Sequence, residues 1–245
     1  MKRYLNYIDS LEQVRKRIDE IRDKYDIDGD IKNGNDIRYS FLNQLYRLIM
    51  SYNLGLVDFV RSAYSENKVK ELYKVEDSHE TTEILADYFI FLKGGFIYSI
   101  STIIENYFRS IYRTLFTDED DLKEFYKIRK DVFERLNMKK DTDYWKSLSI
   151  LSNIRNCIHN NGIYMSRQGD INIEYHGQNN IFKNGVAQES ARPETILQVV
   201  NDVLSLIIEI NMKVGYAKDL SHNERHLLKD KSQETIHGII NNEVK

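Results

Sequence analysis

Proline and cysteine are nearly missing from this sequence, with one of each among 245 residues. Because proline is the strongest helix breaker, its scarcity beside many leucine, isoleucine, lysine and glutamate residues favours long helices. The single cysteine, Cys157, excludes an intrachain disulfide and a zinc site made of several thiolates. A reducing compartment is consistent with this usage, and we predict a cytoplasmic protein.

A strong charge of one sign and a long apolar run are missing as well. The formal net charge of -3 excludes a basic field over the whole surface, which argues against sequence-independent coating of DNA but leaves room for a local RNA site. No apolar run follows the basic Met1–Leu5 segment, so it does not predict a signal peptide. The most apolar stretch, 96–111, contains Glu105 and Arg109, and we expect no contact with a membrane.

Apolar residues recur at three- and four-residue steps along most of the chain, which predicts amphipathic helices. The predicted helices span residues 3–25, 36–64, 81–92, 96–116, 121–137, 143–160 and 194–214. Gly94 and Gly95 should either interrupt the third pattern or allow close packing. The charged residues 65–78 are expected to form a loop or a frayed extension, and the acidic run Asp118–Asp121 should cap the helix that follows it.

The pattern changes after Gly162, which is the expected left-handed stop of its helix. Short alternating runs separated by glycines predict a β-hairpin at 163–186, and Pro193 suits the first turn of the last helix. The predicted fold is therefore mostly α, an antiparallel helical bundle with a small β-hairpin insertion. We divide the chain into an N-terminal helix (1–30), the bundle (31–216) and a polar C-terminal tail (217–245).

Three aspartates at alternate positions, Asp26, Asp28 and Asp30, are reminiscent of a calcium-binding loop. Such a loop needs glycine at its sixth position and glutamate at its twelfth, where this sequence has Ile31 and Ile37. A turn with solvated carboxylates is the better interpretation. We expect no metal and no cofactor.

The segment best equipped for chemistry lies near the end of the 143–160 helix. Arg155 and His159 are four residues apart and share one helix face, with Asn156 and Asn160 as a second pair beside them. The apolar side that should anchor this helix consists of Leu148, Leu151, Ile154 and Ile158. Imidazoles suit general acid–base catalysis and guanidinium groups bind phosphate, so this set suits metal-independent cleavage of RNA by its own 2′-hydroxyl.

Structural interpretations of the same residues remain open. An arginine and a histidine at helical spacing occur on many helices, and His159 near a helix C-terminus can simply favour the dipole there. Glu105, Arg109 and Arg113 form a ladder that is typical of intrahelical salt bridges. Most of the seventeen tyrosines fall at core positions, and we interpret them as packing residues.

The run Arg155–Gly162 (Arg-Asn-Cys-Ile-His-Asn-Asn-Gly) resembles the signature of the HEPN superfamily, an arginine, often followed by asparagine, and then a histidine. Three residues separate Arg155 from His159, where the family usually has four to six. The helix 94–116, with Glu105, Asn106 and Arg109 on its polar face, resembles the family helix that brings a polar or acidic residue toward the motif.

This resemblance implies an all-helical bundle that forms a homodimer with two motifs across a two-fold axis. It also implies a metal-independent endoribonuclease of a toxin–antitoxin, abortive-infection or other antiphage system, with Arg155 and His159 catalytic and Asn156, Asn160, Glu105 and Arg109 supporting. The expected partners are RNA and an antitoxin or defence-system protein. Two alternatives stay open: an inactive HEPN-like module that binds RNA, nucleotide or protein, and a structural subunit whose motif holds a dimer together.

Overall fold

The computed structural model describes residues 2–27, 36–116, 123–188 and 191–214. This part of the chain contains seven helices and one two-stranded hairpin, which confirms the mostly α fold with a small β-hairpin. The elements are α1 (Lys2–Ile27), α2 (Ile37–Tyr64), α3 (Glu66–Tyr73), α4 (Ser78–Leu115), α5 (Phe125–Arg135), α6 (Asp143–His159), β1 (Ile171–Tyr175), β2 (Gln178–Phe182) and α7 (Pro193–Val214). Asp26 of the expected aspartate turn belongs to α1, while the rest of that turn, the acidic cap at 118–121 and the tail 217–245 lie outside the described residues.

Side chains that accept backbone N–H groups begin three of these helices, because the first turn of a helix leaves such groups without intrahelical partners. Asp36 accepts the Arg38 amide at the start of α2, and Asp77 accepts the His79 amide at the start of α4. Thr142 accepts the amide of Trp145 at the start of α6. Local polar chemistry therefore sets the starts of the helices that carry the candidate site.

The bundle is arranged around α4, whose buried face contacts both α2 and α6. Phe96 of α4 stacks on Tyr52 of α2, with ring centroids 4.2 Å apart and planes 10° apart. Gly55 of α2 also faces α4, because a Cβ at this position would lie 2.7 Å from the end of the Leu92 side chain. The glycine therefore leaves room for the Leu92 side chain in its present position.

Two sequence expectations about these helices are wrong. Residues 66–73, expected as a loop or frayed extension, form α3. α4 continues without interruption through Gly94 and Gly95, and a Cβ on either glycine would meet nothing within 4 Å, so these glycines neither break the helix nor allow close packing. The 38-residue length and the tertiary contacts of α4 outweigh the modest cost of two glycines in a helix.

The chain leaves α6 through two left-handed residues, Asn161 (φ 54°) and Gly162 (φ 85°). The amide of Gly162 donates to the carbonyl of Cys157 across 2.8 Å, which satisfies a carbonyl at the helix end. The predicted left-handed stop at Gly162 is therefore confirmed.

The hairpin that follows is antiparallel, with Ile171 opposite Phe182 and Tyr175 opposite Gln178. Its two-residue loop has positive φ at both positions, 47° at His176 and 71° at Gly177, which matches the right-handed twist of a hairpin. The buried faces of Tyr175 and Phe182 attach it to the bundle.

Two helices of the described chain, α4 and α7, are long and apolar enough to cross a membrane by length and composition. More than half of the apolar stretch of α7 is buried inside the bundle, compared with about a fifth of that of α4. Core helices of water-soluble proteins meet the same criteria, and the expected lack of membrane contact stays a prediction.

Candidate functional site

The anchored side of α6 is the side that the apolar pattern predicts. Leu148, Leu151 and Ile154 are buried, and Ile158 packs partly buried against the same core. On the other side Arg155 keeps 29% of its side chain exposed, and His159 is exposed at the last helical position. The helix therefore presents a guanidinium and an imidazole to solvent from a well-packed base.

Glu105 of α4 connects the two arginines predicted for the site. Its Oε2 accepts a hydrogen bond from Arg155 Nη1 across 2.8 Å, and its Oε1 accepts one from Arg109 Nη2 across 2.6 Å. The Glu105 side chain is only 18% exposed, so these charge-assisted contacts form in a partly desolvated place. Arg109 also donates to the backbone carbonyl of Lys123, which ties the cluster to the segment before α5.

Arg155 uses few of its five N–H donors in this contact. The hydrogen bond from Nη1 to Glu105 is the one found for its side chain among the described residues, and its Nε is buried without a partner there. The cavity on its inner side has a volume of about 10 Å³ and is bordered by Ser101 and Ser152, which is room for one water molecule at most. An anion must therefore approach Arg155 from the solvent side.

Tyr98 lies between Arg155 and His159. The centre of its ring is 5.8 Å from Arg155 Cζ, a cation–π distance, and 5.6 Å from the centre of the His159 ring, which meets it edge-on at 79°. The side chain of Tyr98 is 44% exposed. One aromatic ring therefore contacts both groups of the motif and stays partly exposed.

Sequence reasoning missed Tyr98 because tyrosines were interpreted as packing residues. The signal was present in the spacing: Tyr98 precedes Glu105 by seven residues, which is two helical turns, and so shares its face of α4. The face of a helix that carries one polar site residue is the place to look for exposed aromatic neighbours.

The two predicted amides do not join this cluster. Asn156 and Asn160 are exposed, and the Asn160 side-chain amide donates to the backbone carbonyl of Asn156 across 2.8 Å. This bond satisfies a carbonyl in the last turn of α6. The pair therefore stabilises the end of the helix that carries His159, whereas Glu105 and Tyr98 contact Arg155 and Arg109 shares Glu105 with it.

The neighbouring thiol is poorly suited to nucleophilic chemistry. Burial raises the pKa of Cys157, which faces the core, to about 11, so little thiolate is present at neutral pH. Within the described ranges no three or more histidine, cysteine, aspartate or glutamate side chains are grouped to hold a metal ion.

Comparisons of the chain with family models, with curated proteins and with solved structures found no match. The functional interpretation therefore depends on the chemistry of this cluster and on the resemblance of the Arg155–Gly162 segment to the HEPN signature.

Proposed function

We propose that this chain is a HEPN-like, metal-independent endoribonuclease of the cytoplasm, an effector of a toxin–antitoxin, abortive-infection or other antiphage system. The observation that carries the proposal is the placement of Arg155 and His159 on one solvent-facing side of α6, both in contact with Tyr98. A guanidinium and an imidazole in reach of one phosphate are the groups that transesterification of RNA needs.

In the proposed reaction the imidazole of His159 accepts the proton of a ribose 2′-hydroxyl. The 2′-oxygen attacks the neighbouring phosphorus, and the bond from phosphorus to the 5′-oxygen breaks as the new bond forms. The departing 5′-oxygen takes a proton from water, and the imidazolium returns its proton to solvent. The products are a 2′,3′-cyclic phosphate and a 5′-hydroxyl end.

Arg155 serves this reaction as the phosphate-binding group. Its unused donors on the solvent side can bind the non-bridging oxygens, on which charge develops in the transition state. Glu105 and Arg109 are positioning residues, because they hold the guanidinium without facing the substrate themselves. The exposed Asn156 and Asn160 would support the end of α6, and a homodimer would bring two such sites together.

A second candidate function is an inactive HEPN-like module that binds RNA, nucleotide or a partner protein. The ion pair between Arg155 and Glu105 favours it, because a guanidinium already paired with a carboxylate binds phosphate less strongly. The three-residue spacing between Arg155 and His159 favours it too. Binding that depends on Arg155 without any product would identify this function.

The decisive experiment is induced expression of the wild-type chain and of His159→Ala, followed by mapping of the 2′,3′-cyclic phosphate ends in total RNA. We expect new ends with the wild type and a loss of roughly 100-fold or more with the variant, the scale of a general base. His79→Ala is the matched control, since His79 is an exposed histidine near the start of α4. Equal RNA profiles for the wild type and His159→Ala would contradict the nuclease proposal.

A further inference from the structure

The N-terminal half of α4 extends past the end of α6 and has an aromatic face that the described residues leave uncovered. α6 ends at His159, beside Tyr98, while α4 begins twenty residues before Tyr98, at Ser78. On this extension Phe91 is 74% exposed and lies seven residues before Tyr98, which places the two rings on one helix face. We call the face formed by Phe91, Gly94, Gly95 and Tyr98 the aromatic stripe.

Gly94 and Gly95 leave the space between the two rings free. A Cβ on either glycine would meet nothing within 4 Å, so neither glycine is required by packing within the described part of the chain. Glycine destabilises a helix interior, and these two lie in the middle of a 38-residue helix. The helix therefore carries no side chains at Gly94 and Gly95, between Phe91 and Tyr98, and we call this bare stretch of backbone the shelf.

The dimensions of the stripe fit a short piece of single-stranded nucleic acid. Seven residues of helix separate the rings by about 10 Å along the axis, and stacked bases repeat at roughly 3.4 Å, so the stripe has the reach of two or three nucleotides. Its C-terminal end is Tyr98, which touches both Arg155 and His159. A base on Tyr98 would thus place its own phosphate beside the guanidinium and the imidazole.

We propose that the aromatic stripe is the base-binding part of a single-stranded RNA site, in which Tyr98 stacks the base next to the cleaved phosphate and Phe91 stacks a base further along the strand. This proposal rests on the proposed ribonuclease function and names its substrate class. Stacking on aromatic rings is tolerant of sequence, because every base has a π face. Duplex RNA has no splayed bases to offer and is excluded as a substrate by the same geometry.

A second copy of the chain is the less suitable occupant of this face. Stable protein interfaces bury about 800 Å² on each partner, from roughly 20–30 residues. The stripe offers two large side chains separated by bare backbone, which is far fewer than such an interface needs. The rings of Phe91 and Tyr98 on either side of the shelf, with the Arg155 guanidinium beside them, suit nucleobases better than they suit a second copy of the chain.

The test is fluorescence anisotropy with a labelled eight-nucleotide oligouridine whose 2′-hydroxyls are methylated, so that it binds without being cleaved. We expect Tyr98→Ala and Phe91→Ala each to weaken binding about tenfold, while Tyr98→Phe retains it. Gly95→Leu should weaken binding as well, because it places a side chain in the shelf from a position where a Cβ meets nothing within 4 Å. Tyr64→Ala is the control, an exposed aromatic residue at the end of α2, and should change nothing.

The possible failures are distinguishable. If the wild-type chain generates cyclic phosphate ends but Phe91→Ala and Gly95→Leu bind the oligouridine normally, the stripe proposal is overturned and the ribonuclease proposal stands. If the wild type neither binds the oligouridine nor cleaves RNA, both are overturned. If the stripe variants convert a dimer to a monomer in sedimentation while the monomer binds as tightly as the wild type, the stripe is a subunit interface.

Discussion

Arg155 and Glu105 are fifty residues apart in the chain, yet Nη1 of the arginine lies 2.8 Å from Oε2 of the glutamate and joins α6 to α4. The contact does two things at once. It pairs one guanidinium nitrogen with a carboxylate of the neighbouring helix, and it holds the side chain, 29% of which stays exposed, beside Tyr98. A residue that joins two helices of the bundle is in this way also held at the candidate site.

Glu105→Gln should therefore weaken both the fold and the site. The amide retains part of the hydrogen bonding but no charge, and it leaves the guanidinium groups of Arg155 and Arg109 without their shared carboxylate. We expect a loss of about 1–2 kcal/mol in the free energy of unfolding, below the 3–5 kcal/mol of a fully buried pair because the site is partly exposed. Urea denaturation measures this loss.

A matched control for Glu105→Gln is Glu12→Gln. Glu12 also pairs with an arginine, Arg15, but on the more exposed surface of α1. It should change the free energy of unfolding by less than about 0.5 kcal/mol. Equal effects of the two substitutions would show that the Glu105 contact contributes no more to the free energy of unfolding than a more exposed ion pair does.

Alanine substitutions at Gly162 and Gly94 should change the stability of the fold in opposite directions, because the backbone conformations of the two glycines differ. Gly162→Ala puts a side chain at φ 85°, where L-residues are strained, and should destabilise the fold by about 1 kcal/mol. Gly94→Ala introduces the same methyl into an open helical position and should stabilise the fold by up to about 1 kcal/mol. Thermal unfolding of the two variants measures both, and shifts of the same sign would contradict this assignment of the two positions.

Cys157 should resist thiol reagents until the chain unfolds. Its side chain is buried, and burial raises the pKa of the thiol from 9.0 to about 11. We expect modification by a disulfide reagent at pH 8 to be at least about 100-fold slower in the folded protein than in urea. Rapid labelling without denaturant would show that the last turns of α6 open readily.

The same shift in the pKa of Cys157 predicts a dependence of stability on pH. As the pH rises from 9 to 11 the unfolded state loses the thiol proton first, so the stability contributed by the neutral buried thiol is lost across this window. Cys157→Ala should lack this part of the alkaline decline. Identical profiles for the wild type and the variant in urea titrations between pH 8 and pH 11 would contradict the prediction.

The guanidinium of Arg129 is buried against the rings of Trp145 and Tyr126, with Cζ 4.4 Å and 5.1 Å from their centres. Its Nε and Nη1 have no hydrogen-bond partner among the residues described, and burial lowers the pKa of the guanidinium to about 10. Because the unfolded state binds more protons between pH 10 and pH 12.5, the cost of burying the charge is fully present at neutral pH.

We therefore expect Arg129→Met to leave the free energy of unfolding unchanged or to raise it by about 1 kcal/mol at pH 7, since an apolar chain of similar shape removes the buried charge. Arg135→Met, in the last turn of the same helix α5, is the control and should change the free energy by less than about 0.5 kcal/mol. A loss of more than about 1 kcal/mol in Arg129→Met would show that the two ring contacts outweigh the desolvation.

Much of the fold could be predicted from local signals in the sequence. The apolar stripe of α6, the left-handed stop at Gly162, the start of α7 at Pro193 and the glycine-bounded hairpin follow from residues within a few positions of one another. Each depends on short-range sterics or on periodic burial, which a single sequence displays.

Contacts between segments that are distant in the sequence could not be predicted from such local signals. α4 continues through Gly94 and Gly95 and packs along α2, an arrangement that the local sequence around the two glycines does not encode. The placement of Tyr98 beside His159 depends on how far α6 runs along α4, a distance that neither helix encodes alone. The ladder of Glu105, Arg109 and Arg113 predicts the salt bridge between Glu105 and Arg109, but it gives no sign of Arg155, which reaches the same carboxylate from another helix.

The position of His159 as the last residue of α6 has a dynamic consequence. Helix ends unravel far more easily than helix interiors, while Arg155 sits one turn inside and is pinned to a neighbouring helix. Brief unwinding at Asn160 would displace the imidazole of His159, while the guanidinium of Arg155 would keep its position. In the proposed ribonuclease, phosphate binding by Arg155 and proton transfer by His159 would then depend on different local motions, and a molecule that stiffens this helix end would change turnover without changing affinity.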